Sequence, residues 1–413
     1  MRCRLVLVTL VLAPFIAQFA IHTSFAQTPD EQSPSPSVIE SPAPLPSVDE
    51  PPVSEFTRSE QEDAVFRLSE LRERVRSSPN KADVRLKLAQ ELYRIGDLDA
   101  ALEECRVALT LGSHSAKAYL QLGILLMAKH DGHAAAIALM EAVLLDPALT
   151  HAHYSLGSVQ YSLGNLTAAI QSYRRALDLQ PNFPDASYHL ALVLKLTNRH
   201  REAMQFMERA AIAGVPQAQY FMGNAYRTGQ GVERNLAQAI HWWTNAVEFG
   251  QQRAAESLSQ LRRQALSPDQ SDRRRNEALE AFRQYRDELW GNYPNASRNH
   301  SSESLGIALL KDNQDTNGVT VLLAEASALS ETAHDELAHL YETGLDTRLA
   351  QFDTRILRSF TTTAADGFIP SKKALARIYG KGLGVMPDVQ KAKAMLKGLS
   401  KQEIKSIMDE IAG

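Results

Sequence analysis

The chain has 413 residues, 44% hydrophobic and 22% charged, with a formal net charge of −4. That length allows two or three compact units or one long repeat array, and the ordinary composition excludes a wholly disordered chain. Residues 27–63 carry nine acidic groups against Arg58; with Arg2 and Arg4 also set aside the remainder is near neutral at +2, which excludes a protein built around nucleic-acid binding.

Residues 1–26 read as an export signal. Arg2 and Arg4 supply the positive start, Leu5 to Ile21 is an apolar stretch broken only by Thr9, Pro14 and Gln18, and Ser24-Phe25-Ala26 offers a cut before Gln27. An uncleaved anchor is the competing reading, because the stretch is near the ~20 residues that span a bilayer. Residues 27–59 form a Pro-, Ser- and acid-rich segment, with Ser33-Pro34-Ser35-Pro36 and Asp49-Glu50-Pro51-Pro52. Too little apolar area is present there to offset ordering entropy, so a disordered, extended linker is expected. No later segment is long and apolar enough to cross a bilayer, so no membrane insertion is expected once the signal is cleaved.

Beyond residue 60 the apolar residues follow helical spacing, with a longer period superimposed. Leu88, Leu122, Leu156 and Leu190 stand 34 apart; so do Ala101, Ala135, Ala169 and Ala203, and Ala108, Ala142, Ala176 and Ala210. Cys105, Leu139, Tyr173 and Met207 are in step, and Gly123 and Gly157 follow two of the leucines, with Ala89 and Ala191 at the equivalent places. Small residues of this kind sit where two helices cross closely. Gly96-Asp97 and Gly164-Asn165 mark turns inside a unit, while Asp146-Pro147 and Gln180-Pro181-Asn182 close it, since proline cannot continue a helix.

This pattern resembles the tetratricopeptide repeat over residues 82–217, four units, with Glu60 to Ser77 as a capping half-unit, so that the region spans 60–217. Ser113 and Val215 stand where the family usually has proline. At a cost of ~1.5 kcal/mol per ordered residue, a single unit cannot offset its own ordering and must stack on its neighbours.

From residue 218 the pattern changes. Tyr226-x-x-Gly229-x-Gly231-Val232 precedes a segment carrying Ala239, Trp242, Ala246 and Gly250, and Tyr379-x-x-Gly382-x-Gly384-Val385 repeats the turn near the end. These resemble Sel1-like repeats, assigned to 218–264 and, in worn form, to 303–413; Leu337, Tyr341 and Gly344 are what survives of one copy, and Leu305-Gly306 opens another. Residues 265–302 read as a helical linker. Gly380-Lys381-Gly382-Leu383-Gly384 lacks the preceding strand and the spacing of a phosphate loop, so its glycines are assigned to a tight turn.

Chemistry is hard to place. Cys105 reads as a small packed residue, because no histidine partner is fixed near it. His151 and His153 are two apart and point to opposite sides of a helix, and His334 and His339 are five apart where a zinc box needs four; His130 and His133 flank Gly132 at a turn. No metal site, cofactor or catalytic residue is expected. The arginines between Arg262 and Arg286, interleaved with Phe282, Tyr285, Trp290 and Tyr293, could bind single-stranded nucleic acid or an anionic surface. Seven acidic residues between 256 and 288 offset them, so a solvated amphipathic helix is preferred and no nucleic-acid partner is expected.

The expected fold is therefore all-α, an α-solenoid forming a right-handed superhelix of stacked helix-turn-helix repeats. In the tetratricopeptide family the first helices line a concave groove that receives an extended peptide or a partner helix. By position, the resemblance implies Leu86, Gln90 and Tyr93; Leu120, Ile124 and Met127; Tyr154, Ser158 and Tyr161; and Tyr188, Leu192 and Lys195. The Lys and Asn clamp by which some relatives hold a C-terminal carboxylate is mostly missing at these positions. The expected function is a non-catalytic protein-interaction scaffold of the cell envelope, periplasmic or secreted, with a role in assembly or secretion of an envelope complex. The alternative is a modulator or weak hydrolase acting on envelope polymers such as peptidoglycan. The sequons at Asn165, Asn295 and Asn299 matter only if the compartment is a eukaryotic secretory lumen. Partner identity and oligomeric state are left open.

Overall fold

The computed structural model describes residues 58–112, 115–293, 304–311, 317–345 and 349–412. The signal-peptide reading and nearly all of the linker reading lie outside the described residues. What is described is helical, with one isolated bridge between Leu345 and Leu349. A long helix α1 (Arg58–Ser77) leads into four hairpins, which are α2 (Ala82–Arg94) with α3 (Leu98–Thr110), α4 (Ala116–Ala128) with α5 (Gly132–Leu145), α6 (Thr150–Ser162) with α7 (Leu166–Leu179), and α8 (Pro184–Leu196) with α9 (His200–Ile212). The second stretch holds α10 (Pro216–Thr228), α11 (Leu236–Glu248), α12 (Gln252–Ala265) and α13 (Arg273–Gly291). The third holds α14 (Leu305–Lys311), α15 (Gly318–Ser327), α16 (Glu331–Thr343), α17 (Thr354–Ala365), α18 (Ile369–Lys381), α19 (Val389–Met395) and α20 (Lys401–Ala412). The expected α-solenoid is what the chain forms.

The 34-residue rhythm has a packing cause. The glycine or alanine of each first helix lies opposite the large residue of its own second helix. A methyl group on Gly123 would stand 2.5 Å from Leu139, and one on Gly157 would stand 2.8 Å from Tyr173. Where the first helix has alanine instead, Ala89 and Ala191, the partner column carries the slim Cys105 or the pliant Met207, so the summed volume stays within what the gap admits. Both alanine columns are buried throughout. Of the leucine column, Leu88, Leu156 and Leu190 are buried and Leu122 is half-buried.

The turn inside each hairpin also repeats. Residues Gly96, His130, Gly164 and Asn198, again 34 apart, all hold positive φ, at 85°, 60°, 78° and 59°. The next amide closes a six-residue loop onto the helix each time, Asp97 onto Leu92, Asp131 onto Leu126, Asn165 onto Gln160 and Arg199 onto Leu194, at 2.8–2.9 Å. This is the left-handed helix stop that satisfies otherwise orphaned carbonyls. Asp97 and Asp131 then cap the following helix through their side chains, accepting from Ala100 N and Ala134 N.

The glycine-rich turn has its own signature. After α10 the Asn235 amide donates to Tyr226 O at 2.9 Å, and after α18 the Asp388 amide donates to Tyr379 O at 2.7 Å, the same ten-residue loop. After α16 the equivalent bond runs from Phe352 to Tyr341 at 2.9 Å, two residues longer, which is how this copy is worn. Glycine at 382 ends α18 in the left-handed region, and Lys381 Nζ is paired with Glu410 at 3.1 Å, so the segment is a helix stop.

Helix α13 packs on α11 and α12. Its Ala278, Ala281, Phe282, Tyr285 and Leu289 belong to the core, together with Trp243, Leu258 and Leu261. Phe282 and Tyr285 are therefore core residues and offer no stacking surface.

Candidate functional site

Along the first four hairpins the first helices touch in succession, α2 to α4, α4 to α6 and α6 to α8, while the second helices do not pack together in this way. The first helices thus line the inner, concave side. Proline at N1 of α8 and α10 and serine capping α4 fix where these helices begin, and the shared register sets which residues face inward.

Between α2, α4 and the start of α6 lies a groove of about 460 Å³. Four residues singled out from the sequence line it: Gln90, Tyr93, Leu120 and Ile124. Lys117, Gln121, Leu125, Leu149 and His151 complete the lining. Leu125 and Gln121 form the floor; Gln121 is buried because its amide donates to Leu86 O at 3.1 Å, tying unit two to unit one. Lys117 and His151 are exposed at the rim. The sequence held a signal for both, since they lie one helical turn before Leu120 and Tyr154 in the same repeat column.

Farther along, the inner face becomes aromatic. Half-buried Tyr154 sits 4.9 Å from Phe183 and edge-on to His189 at 5.6 Å, with its hydroxyl 3.3 Å from His189 Nδ1. Tyr188 meets His189 edge-on at 5.2 Å. His189 Nδ1 lies 2.8 Å from Asp185 O, which places the ring proton there, and burial pulls the imidazole below its usual range so that it stays neutral. Ser158, expected in the groove, is buried. Its hydroxyl donates to Tyr154 O at 3.2 Å and lies 3.0 Å from Tyr173 OH, so it is an internal link. Tyr161 and Leu192 are half-buried, as are Leu86 and Met127 beside the first groove. Lys195 is exposed and lies over the Phe221 ring of α10 at 4.7 Å. Of the twelve residues, Gln90, Tyr93, Leu120 and Ile124 line the groove with Leu86 and Met127 beside it, Tyr154, Tyr161 and Tyr188 make an aromatic strip in units three and four with Leu192 and Lys195 beside them, and Ser158 is withdrawn into the core.

Other chemistry-bearing residues are structural. Cys105 is fully buried, and burial pushes its thiol up to about 11. His334 is buried, with Nε2 3.1 Å from Ala326 O and Nδ1 3.2 Å from Ser371 Oγ, inside a sealed Thr363–Ser371–His334 chain. Among the described residues no group of three or more His, Cys, Asp or Glu is placed to hold a metal ion, and no helix is long and apolar enough to cross a membrane.

Comparison with known proteins agrees with this architecture. The tetratricopeptide repeat model matches residues 157–197, and the Sel1 repeat model matches 186–215, 216–248 and 372–397. The chain thus carries tetratricopeptide and Sel1-like repeats in tandem, and the Sel1 matches reach back into the fourth hairpin. Chitin synthase regulator SKT5 of Saccharomyces cerevisiae is 40% identical over 57 residues, 14% of this chain and 8% of that protein, so the match spans under a tenth of the relative's length. Similar solved structures include MamA, at 26% identity over 39% of this chain and 94% of that one, with a TM-score of 0.35. YrrB, described as a TPR protein with an unusual peptide-binding site, is 21% identical over 45% and 96%, with a TM-score of 0.36. The antigen c5321 of uropathogenic Escherichia coli, described as displaying an SLR fold, is 19% identical over 83% and 81%, with a TM-score of 0.40.

Proposed function

We propose that the chain is a non-catalytic interaction scaffold of the cell envelope, exported by residues 1–26, whose concave face holds an extended peptide or a helix of a partner protein. The observation that carries this reading is the groove between α2, α4 and α6. Apolar Leu120, Ile124 and Leu149 are framed there by polar tips from Gln90, Tyr93, Lys117 and His151, the composition of a surface that recognises a side chain and orients its backbone. The aromatic strip continues the same face, and tyrosines are favoured contributors to such contacts. The short likeness to a regulator of chitin synthase supports one kind of partner, an enzyme that builds envelope polymer, and so keeps a modulator role as the second reading.

Affinity capture from envelope extracts tests this. Leu120→Asp and Ile124→Asp change the groove without removing a buried core residue, and each is expected to abolish capture of the partner while helicity and melting temperature hold. Undiminished capture by both variants overturns the groove assignment.

A further inference from the structure

Among the second helices of the first four hairpins, α5 alone carries a row of exposed large apolar side chains, while α9 exposes only Ile212, at its end. On α5, Ile137 is 62% exposed, Met140 50%, Leu144 73% and Leu145 47%. At the matching positions α3 has Glu103, Arg106, Thr110 and Leu111, and α7 has Gln171, Arg174, Asp178 and Leu179. Ile137, Met140 and Leu144 follow i, i+3, i+7 spacing, the stripe by which one helix packs on another. Unit two alone carries it, so the repeat fold does not require it. A stripe of large apolar side chains in water is unfavourable by roughly 25 cal/mol per Å² left uncovered.

We propose that this stripe pairs with the same stripe of a second copy, forming a two-fold symmetric dimer through the outer face. Charge complementarity selects the operator. A two-fold axis crossing the outer helices at a right angle sets α5 antiparallel to its counterpart and α3 opposite α3. With the axis over the point midway between Ile137 and Met140, Ile137 of each copy meets Met140 of the other and Leu144 covers the His133 ring. The 34-residue register carries the same midpoint onto α3, where it falls between Glu103 and Arg106. The operation therefore places Glu103 of each copy opposite Arg106 of the other, twice. Both residues are exposed, and neither makes an ion pair among the described residues. An isologous contact needs this self-complementarity.

The available area fits a weak dimer. A 14-residue helix is about 21 Å long and about 10 Å across. Three neighbouring outer helices thus offer about 600 Å² per copy, or about 1,200 Å² in all, the lower limit for a stable interface. The outer face is convex, so α5 is the centre of the contact, the three-helix area is its upper bound, and α3 meets its counterpart only through the long Glu103 and Arg106 side chains, which set the register.

Sedimentation velocity on the full chain from about 1 to about 200 μM tests the proposal. A monomer–dimer equilibrium is expected within that range, and Leu144→Glu should weaken it at least about tenfold with unchanged helicity and melting. Glu103→Arg and Arg106→Glu should each weaken association, and the double variant should restore it. A monomer at all concentrations overturns the proposal, as does a dimer indifferent to Leu144→Glu, or failure of the double variant to recover. A monomer whose stripe captures another protein or a lipid vesicle, lost in Leu144→Glu, assigns the face to that occupant and equally overturns the second copy.

Discussion

Arg262 Nε lies 2.7 Å from Asp366 Oδ2, and the two side chains are only 4% and 3% exposed. They are 104 residues apart and join α12 to the end of α17. The carboxylate is saturated further by Ser259 Oγ and, at 3.7 Å, by Arg263, while Arg262 also reaches Ser327 O at 3.4 Å. A buried pair of this kind adds little net stability over a well-packed apolar pair, but losing one partner strands the other. Asp366→Ala should therefore cost about 3–5 kcal/mol. Arg262→Met should cost less, because Asp366 keeps Ser259 and Arg263, and the double variant less than the sum of the two singles. Denaturant melts of the four proteins check this as a double-mutant cycle.

Gly223 faces the fully buried Trp243. A Cβ there would lie 2.4 Å from Trp243 Cδ1 and Nε1, and the indole is held on all sides by the core around α11 to α13. Gly223→Ala should destabilise by about 1–3 kcal/mol, the usual cost of overpacking, although alanine is the better helix former. Gly123→Ala meets the flexible Leu139 and should cost less. Thermal melts of the two variants rank them.

Glu325 and His334 make opposing pH dependences. Burial pushes the Glu325 carboxyl up to about 7, although it accepts amide bonds from Gly306 and Leu305 that oppose the shift. Burial pulls the His334 imidazole down to about 4. Between ~4.3 and about 7 the folded chain holds the Glu325 proton that the unfolded chain has lost, so this group's stabilisation declines as pH rises. Between ~6.5 and about 4 the unfolded chain takes up a proton that folded His334 refuses, so stability declines as pH falls. Each window amounts to roughly 3 kcal/mol, and where they overlap the two nearly cancel. Glu325→Gln should expose a loss of stability below pH ~6.5, and His334→Gln a loss on raising the pH towards 7. Denaturation midpoints measured from pH 4 to 8 read both slopes.

His130 occupies the left-handed turn position that glycine fills in hairpins one and three. A side chain there costs ~1–2 kcal/mol, partly recovered through the smaller entropy of the unfolded chain. His130→Gly should raise stability by roughly 0.5–1 kcal/mol. A lower melting point would show that His130 is held by something beyond its backbone.

Cys105 should label only through unfolding, because its sulfur is sealed between helices and its thiol titrates far above neutrality. In a Cys3→Ser background, a thiol reagent at pH 8 should leave the native chain unmodified and react as the solenoid melts. Rapid labelling of the native protein would contradict the packing of α3 against α4.

The repeats were legible in the sequence because their determinants are local and recur. A small residue, its large partner 16 positions on and a turn residue seven positions beyond the small one lie within a single hairpin, so four copies in register disclose helix ends and buried columns. The left-handed turn at Gly96 could be read directly. That His130 and Asn198 adopt it came only from the structure, since their side chains give weaker evidence than glycine does. What the tertiary structure decided depends on residues that no period connects. Arg262 read as part of a basic stretch and is instead neutralised in the core by Asp366, while Phe282 and Tyr285 became core when α13 folded onto α11 and α12. Ser158 sits at a groove position in the repeat column, yet Tyr173 across the hairpin draws it inward. Lys117 and His151 joined the groove once stacking brought three units together. Helix formation and hairpin closure are short-range events written in neighbouring residues, whereas the ion pair and the groove depend on how separate hairpins stack.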